Sequence, residues 1–183
     1  MKKFLLILLL FPMLSWGQNF DNGDRVKMMA GYTVGGKLNG PALRMQYEMP
    51  LSTHFGLQFG ASSVNGVEKC VDAGFRNSFY ANSLFVGGCY ETTILKRLTL
   101  GCDVFGGVLF FTHSIRLGNN NFGGTTNTQY RFEFGGDIEA RYHITDHFSA
   151  GAYARIEYIP DFIHGNPITT LGLGLCWNLS NPL

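Results

Sequence analysis

The chain has 183 residues, a length that suits one domain, and its 14 Lys and Arg stand against 13 Asp and Glu for a formal net charge of +1. A near-neutral chain without a basic stripe carries no electrostatic footprint for nucleic acid. Its 24 glycines and 14% aromatic content, with apolar residues recurring at period 2 and hardly ever at 3.6 beyond residue 20, predict an all-β protein.

Residues 1–17, MKKFLLILLLFPMLSWG, combine Lys2 and Lys3, an apolar run from Phe4 to Leu14, and the small residues Ser15 and Gly17 ahead of Gln18. That is the pattern of an export signal, and the run is shorter than the roughly 20 apolar residues of a membrane-spanning helix. Residues 18–183 are then the mature domain, with 12 basic and 13 acidic residues and a formal charge of −1. No Cys stands at the cleavage point, so no lipoprotein anchor is expected.

Eight strands follow in chain order. Arg25 to Gly35 and Ala42 to Met49 alternate across GGKLNGP as a hairpin. His54 to Ser63 sets Phe55, Leu57, Phe59 and Ala61 against His54 and Gln58, and Phe79 to Thr92 reads as a longer, less clean strand. Leu98 to Phe111 alternates on Leu98, Leu100, Cys102, Val104, Val108 and Phe110. The stretch 129–148, QYRFEFGGDIEARYHITDHF, then sets Tyr130, Phe132, Phe134, Ile138 and Tyr142 against Arg131, Glu133, Asp137, Glu139 and Arg141. His147 to Ile159 and Ile168 to Leu179 close the series.

After the first hairpin, short links (MPLST, ILKR, ITDH) alternate with longer ones rich in Gly, Asn and Pro. Short turns at one end and long loops at the other are the habit of an up-and-down meander closing into an outer-membrane barrel. The short turns resemble one another as Leu51-Ser-Thr-His54-Phe55, Ile94-Leu-Lys-Arg97-Leu98 and Ile144-Thr-Asp-His147-Phe148.

Two barrels alternate in this way. A soluble calycin-like barrel buries the aromatic face around an apolar ligand, whereas a membrane barrel turns that face to lipid and the charges to its lumen. The mixed charges and small residues of the polar face, strands near the about 9–11 residues of a tilted crossing, and aromatics near strand ends favour the membrane solution. An arginine such as Arg131 or Arg141 facing lipid at the midplane would cost about 2–4 kcal/mol. The expected fold is therefore an all-β, eight-stranded antiparallel up-and-down transmembrane β-barrel.

In this architecture, over nearly the whole mature sequence, the chain resembles the small eight-stranded outer-membrane barrels of the OmpA-transmembrane and OmpX type. The resemblance implies an outer-membrane location, without room for the peptidoglycan-binding domain of full-length OmpA relatives. One departure lies at the end: such barrels finish on a terminal aromatic, whereas Trp177 is followed here by Asn-Leu-Ser-Asn-Pro-Leu183.

The predicted lumen charges are Lys27, Arg44, Glu48, Asp103, Arg131, Glu133, Asp137, Glu139, Arg141, Arg155 and Glu157. An eight-stranded barrel has just enough interior for side chains to fill it, so these residues are expected to form a structural plug of paired charges rather than an ion path. His113-Ser114 is the one candidate for nucleophilic chemistry of the kind lipid A-modifying barrels perform, yet adjacent strand residues face opposite ways and no acid at convincing spacing completes a triad. No catalytic residue is assigned and no cofactor is expected. Cys70, Cys89, Cys102 and Cys176 allow three pairings, show no CxxC spacing for a metal, and at 102 and 176 read as free, buried, small apolar residues. A turn at Leu95-Lys96 sets Cys89 near Cys102, on one face or on opposite faces according to a single residue of register. Partners are outer-membrane lipid and, through loops 65–78, 113–129 and 160–167, an extracellular protein or surface ligand; the oligomeric state is left open. The expected role is structural or adhesive, with a lipid A-modifying enzyme and a soluble binder of an apolar ligand as the alternatives.

Overall fold

The structure is a computed structural model that describes residues 23–35, 38–70, 75–117, 125–160 and 167–179. The expected leader, 1–17, lies outside them. Eight strands run in order as β1 (Arg25–Val34), β2 (Gly40–Pro50), β3 (Phe55–Cys70), β4 (Phe75–Leu95), β5 (Leu98–Leu117), β6 (Thr125–His143), β7 (Phe148–Tyr158) and β8 (Ile168–Asn178). Each is antiparallel to its neighbours, and β1 pairs with β8 from Arg25↔Asn178 to Val34↔Thr169, closing the barrel. Closure gives every strand of the wall a partner on both sides, which lipid cannot supply.

The alternation sorts the two faces as a membrane barrel requires. Phe132, Leu173, Leu43, Val104 and Ile138 point outward and are more than 60% exposed, while Lys27, Glu48, Asp103 and Arg155 point inward and are at most 2% exposed. A soluble calycin-like barrel would show the reverse, so the aromatic face of the 129–148 stretch meets lipid. Aromatic pairs mark both ends of the apolar band. Phe55–Tyr90 and Phe148–Trp177 lie near the short turns, with centroids 5.1 and 6.2 Å apart; Phe110–Tyr130 and Phe134–Tyr158 lie near the long loops, at 5.5 and 5.0 Å. Such girdles belong at the two interfaces.

Two of the three similar turns share a hydrogen-bond scheme. Ser52 Oγ accepts from Phe55 N (3.2 Å) and Thr145 Oγ1 from Phe148 N (3.1 Å), while the Phe55 and Phe148 carbonyls each accept two backbone N–H groups. A short side-chain hydroxyl at the first turn position thus takes up a donor the turn leaves over. The third turn, at Lys96-Arg97, is tighter and follows a register shift between Thr93 and Leu95.

The expected loops 65–78 and 113–129 are corrected by the structure. β3 continues to Cys70 and β4 starts at Phe75; β5 runs to Leu117 and β6 starts at Thr125. At 16, 21, 20 and 19 residues, β3 to β6 far exceed the about 9–11 needed to cross. β1, β2, β7 and β8 have only 10 or 11. β2–β3 pairing stops at Ala42↔Val64 and β6–β7 pairing begins at Phe134↔Tyr158. Above that level β3 to β6 form a four-stranded sheet standing clear of the rim. Most of the expected loop 160–167 lies outside the described residues.

Candidate functional site

The site is the lumen, filled in three layers along the barrel axis. Nearest the short turns, Lys27 Nζ reaches the carboxylates of Glu48, Glu91 (3.4 Å) and Glu139 (2.5 Å). Glu91 also takes Arg25 and Arg141, and Arg141 Nε lies 3.0 Å from Glu139. Three cations from β1 and β6 thus meet three carboxylates from β2, β4 and β6. Buried ions need partners of this kind, because each loses its hydration in the closed interior.

The middle layer pairs Arg44 with Asp137 and Arg155 with Glu157, whose Oε1 is 2.7 Å from Arg155 Nε; Glu133 lies 3.9 Å from the same guanidinium. Both arginines stack on aromatic rings inside the barrel. Arg44 lies 4.5 Å from the Phe85 centroid and Arg155 3.7 Å from that of Phe105. Gly60 and Gly135 on flanking strands make room for the two rings. A Cβ at either would come within 2.3 Å of Phe85 Cζ or 2.7 Å of Phe105 Cζ.

Toward the long loops the lumen becomes apolar. Leu38, Ala42, Val64, Phe79, Ala81, Leu109, Phe111, Ile159 and Ile168 form a buried cluster, with Phe79 and Phe111 stacked at 5.7 Å. At the opposite end a cavity of about 350 Å³ opens between the short turns, with Arg25, Lys96, Arg97, Arg141 and His143 in its wall.

Of the predicted lumen charges, Lys27, Arg44, Glu48, Asp103, Glu133, Asp137, Glu139, Arg141, Arg155 and Glu157 are buried in the interior. Arg131 is not: it is half-exposed on β6 above the start of β7, and its Nη2 donates to Gln129 Oε1 at 3.0 Å. It belongs to the emergent sheet, which corrects its assignment to the lumen. Arg25, Gln46 and Gln58 stood on the polar strand faces in the sequence without being named among the lumen charges, and Glu91, Phe85 and Phe105 were missed as inward residues. The separation of aromatics to lipid and charges to the lumen therefore holds on β6 from Phe132 to Tyr142 but not for β4 and β5, which send Phe79, Phe85, Phe105 and Phe111 inward.

His113 and Ser114 are successive residues of β5, opposite Asn127 and Thr126 on β6. The His113 side chain lies outside the described residues. Cys89 faces Asp103 across β4 and β5, and Cys102 faces Tyr90, so the register separates the two thiols to opposite faces. Cys89 and Cys176 are buried in the lumen and Cys102 is exposed on the lipid face, which corrects the reading of Cys102 as a buried residue; all three are free. Two inward groups have donor atoms close enough to hold a cation, Glu48/Glu91/Glu139 and Glu48/Cys89/Asp103. In the first, the Lys27 ammonium already supplies the positive charge.

No family model and no curated protein matches the sequence. Solved structures do match. Neisserial surface protein A is similar at a TM-score of 0.62 and 12% identity, over 85% of this chain and 96% of that one. The outer membrane protein OprG of Pseudomonas aeruginosa is similar at 0.61 and 10%, over 87% and 98%. Ail, the attachment invasion locus protein of Yersinia pestis, is similar at 0.56 and 12%, over 85% and 98%. The chain has the fold of the small eight-stranded outer-membrane β-barrels. With its apolar band and aromatic girdles it is a transmembrane barrel of that type.

Proposed function

We propose that the protein is a plugged outer-membrane barrel that presents the emergent β3–β6 sheet to the outside, in a structural and adhesive role. The supporting observation is the architecture itself: strands of 16 to 21 residues, against the about 9–11 that a crossing needs, stand on a barrel whose lumen is crossed by a charge network and an apolar cluster. The register of that sheet places Lys69, Arg76 and Arg116 in one row across β3, β4 and β5. A row of three basic residues is the kind of sequence feature that draws a polyanion. Ail of Yersinia pestis has been crystallised in complex with the heparin analogue sucrose octasulfate, at a TM-score of 0.57 and 13% identity to this chain. A sulfated or otherwise polyanionic surface polymer is thus the ligand class this reading favours.

The test is retention of barrel-bearing proteoliposomes on a sulfated polysaccharide matrix. Retention that falls as salt is raised, and is lost in the triple variant K69S/R76S/R116S, supports the reading. Equal retention of the variant, or none by the parent protein, contradicts it. The enzyme alternative predicts altered lipid A in strains making the protein, and identical lipid A with and without it removes that alternative.

A further inference from the structure

We propose that the lumen holds one divalent transition-metal ion of the zinc class between β2, β4 and β5, bound by Cys89, Asp103 and Glu48 with the Gln46 amide as a fourth donor. The register assembles these residues. Cys89 and Asp103 face each other across the β4–β5 pair, Glu48 and Gln46 stand two apart on β2, and all four are inward. The Cys89 sulfur and one carboxylate oxygen each from Glu48 and Asp103 lie within 4.8 Å of one another. Gly56, opposite Cys89 on β3, leaves the sulfur its space, since a Cβ there would stand 2.8 Å from Sγ.

Independent features point to a cation at this place. Gln46, 1% exposed, inserts its amide between the two carboxylates, with Nε2 2.7 Å from Glu48 Oε1 and 3.3 Å from Asp103 Oδ2. Its Oε1 has no hydrogen-bond partner among the described residues, and neither do Glu48 Oε2 and Asp103 Oδ1. The amide orientation is an assignment, and turning it over brings that oxygen between the carboxylates as a ligand. Asp103 has no basic side chain within ion-pair distance among the described residues, and across β5–β6 it faces Asp137, whose own charge is matched by Arg44. Among the described residues the buried lumen holds seven carboxylates against five basic side chains, a formal excess of two, and Asp103 is the carboxylate without an ion-pair partner. The neighbouring group Glu48/Glu91/Glu139 has Lys27 on all three of its carboxylates; in the group with Cys89 and Asp103, Lys27 reaches only Glu48, and Asp103 has no ion-pair partner among the described residues.

A thiolate with carboxylate and amide oxygens suits zinc, which accepts sulfur and oxygen together in a tetrahedral set, and is a poor set for magnesium or calcium. Binding exchanges the Cys89 thiol proton, released to solvent, for the Zn–S bond, and the ion takes up the carboxylate excess. The rival arrangement is a proton shared between the facing carboxyls of Asp103 and Asp137.

The experiment refolds the full chain in detergent with Zn²⁺ or Co²⁺, removes excess metal by gel filtration, and measures bound metal and the Co²⁺ absorption spectrum. Folding of every sample is checked by heat-modifiable electrophoretic mobility. The expected result is about one equivalent of metal in the parent protein and in the C102S and C176S variants, with a near-ultraviolet thiolate-to-cobalt band. Affinity should fall by about tenfold or more in C89S and in D103N. A folded parent protein that retains no metal, or a cobalt complex without the thiolate band, overturns the proposal in favour of the shared proton. The spectrum of the parent protein decides the matter even where a variant fails to fold.

Discussion

Glu91 holds Arg25, Lys27 and Arg141 around one carboxylate, and among the described residues no other lumen carboxylate pairs with as many cations. In Glu91→Gln, three buried cations are left to Glu48 and Glu139. Breaking a buried ion pair from one side costs about 3–5 kcal/mol, and a loss of that order is expected in denaturant unfolding of the barrel in micelles. Arg131→Gln, outside the lumen, should change stability by no more than about 0.5 kcal/mol. Equal losses in the two variants would contradict the layered lumen. Glu91 was hidden in the sequence for a physical reason. The inward face of β4 reads Phe79, Ala81, Ser83, Phe85, Gly87, Cys89, Glu91, so its inner and outer faces are both largely apolar and no alternation marks the lumen side. On β6 the inward face of the wall is charged at every position but Gly135, and there Glu133, Asp137, Glu139 and Arg141 were legible.

Register carries the next level of the account. The tight turn at Lys96-Arg97 and the irregularity before it set Cys89 against Asp103 and leave Cys102 outside. A bilayer-soluble maleimide should therefore modify Cys102 in the folded protein, while Cys89 and Cys176 react only after unfolding. A shift of β5 by one residue would turn Cys102 into the lumen beside Cys89, and a folded protein in which Cys102 resists the reagent would refute the register. Ile138, outward on β6 and 63% exposed, tests the lipid face of the same strand. Ile138→Arg should cost about 2–4 kcal/mol if it lies near the midplane, measured by unfolding in lipid vesicles. Strand number, order and facing were legible because one face alternates clearly in most strands. The lengths of β3 to β6 were not. Gly- and Asn-rich segments such as NNNFGGTTNT resemble loops in composition even where the flanking residues pair as strands.

At the scale of the whole molecule, the proposed plug rests on two features: a charge network whose members hold one another, and an apolar cluster toward the long loops. Stepwise ion conductance should therefore be absent in planar bilayers, and steady single-channel currents would contradict the plug. The central claim is prior to this one: the barrel carries its aromatics outside and its charges inside. Its most direct test is membrane fractionation with detergent extraction, followed by electrophoresis of boiled and unboiled protein. The account predicts recovery with outer membranes, release only by detergent, and a compact unboiled band that shifts on heating. Recovery as a soluble protein with no heat-dependent shift would mean that the aromatic face is buried, and would contradict the account at its root.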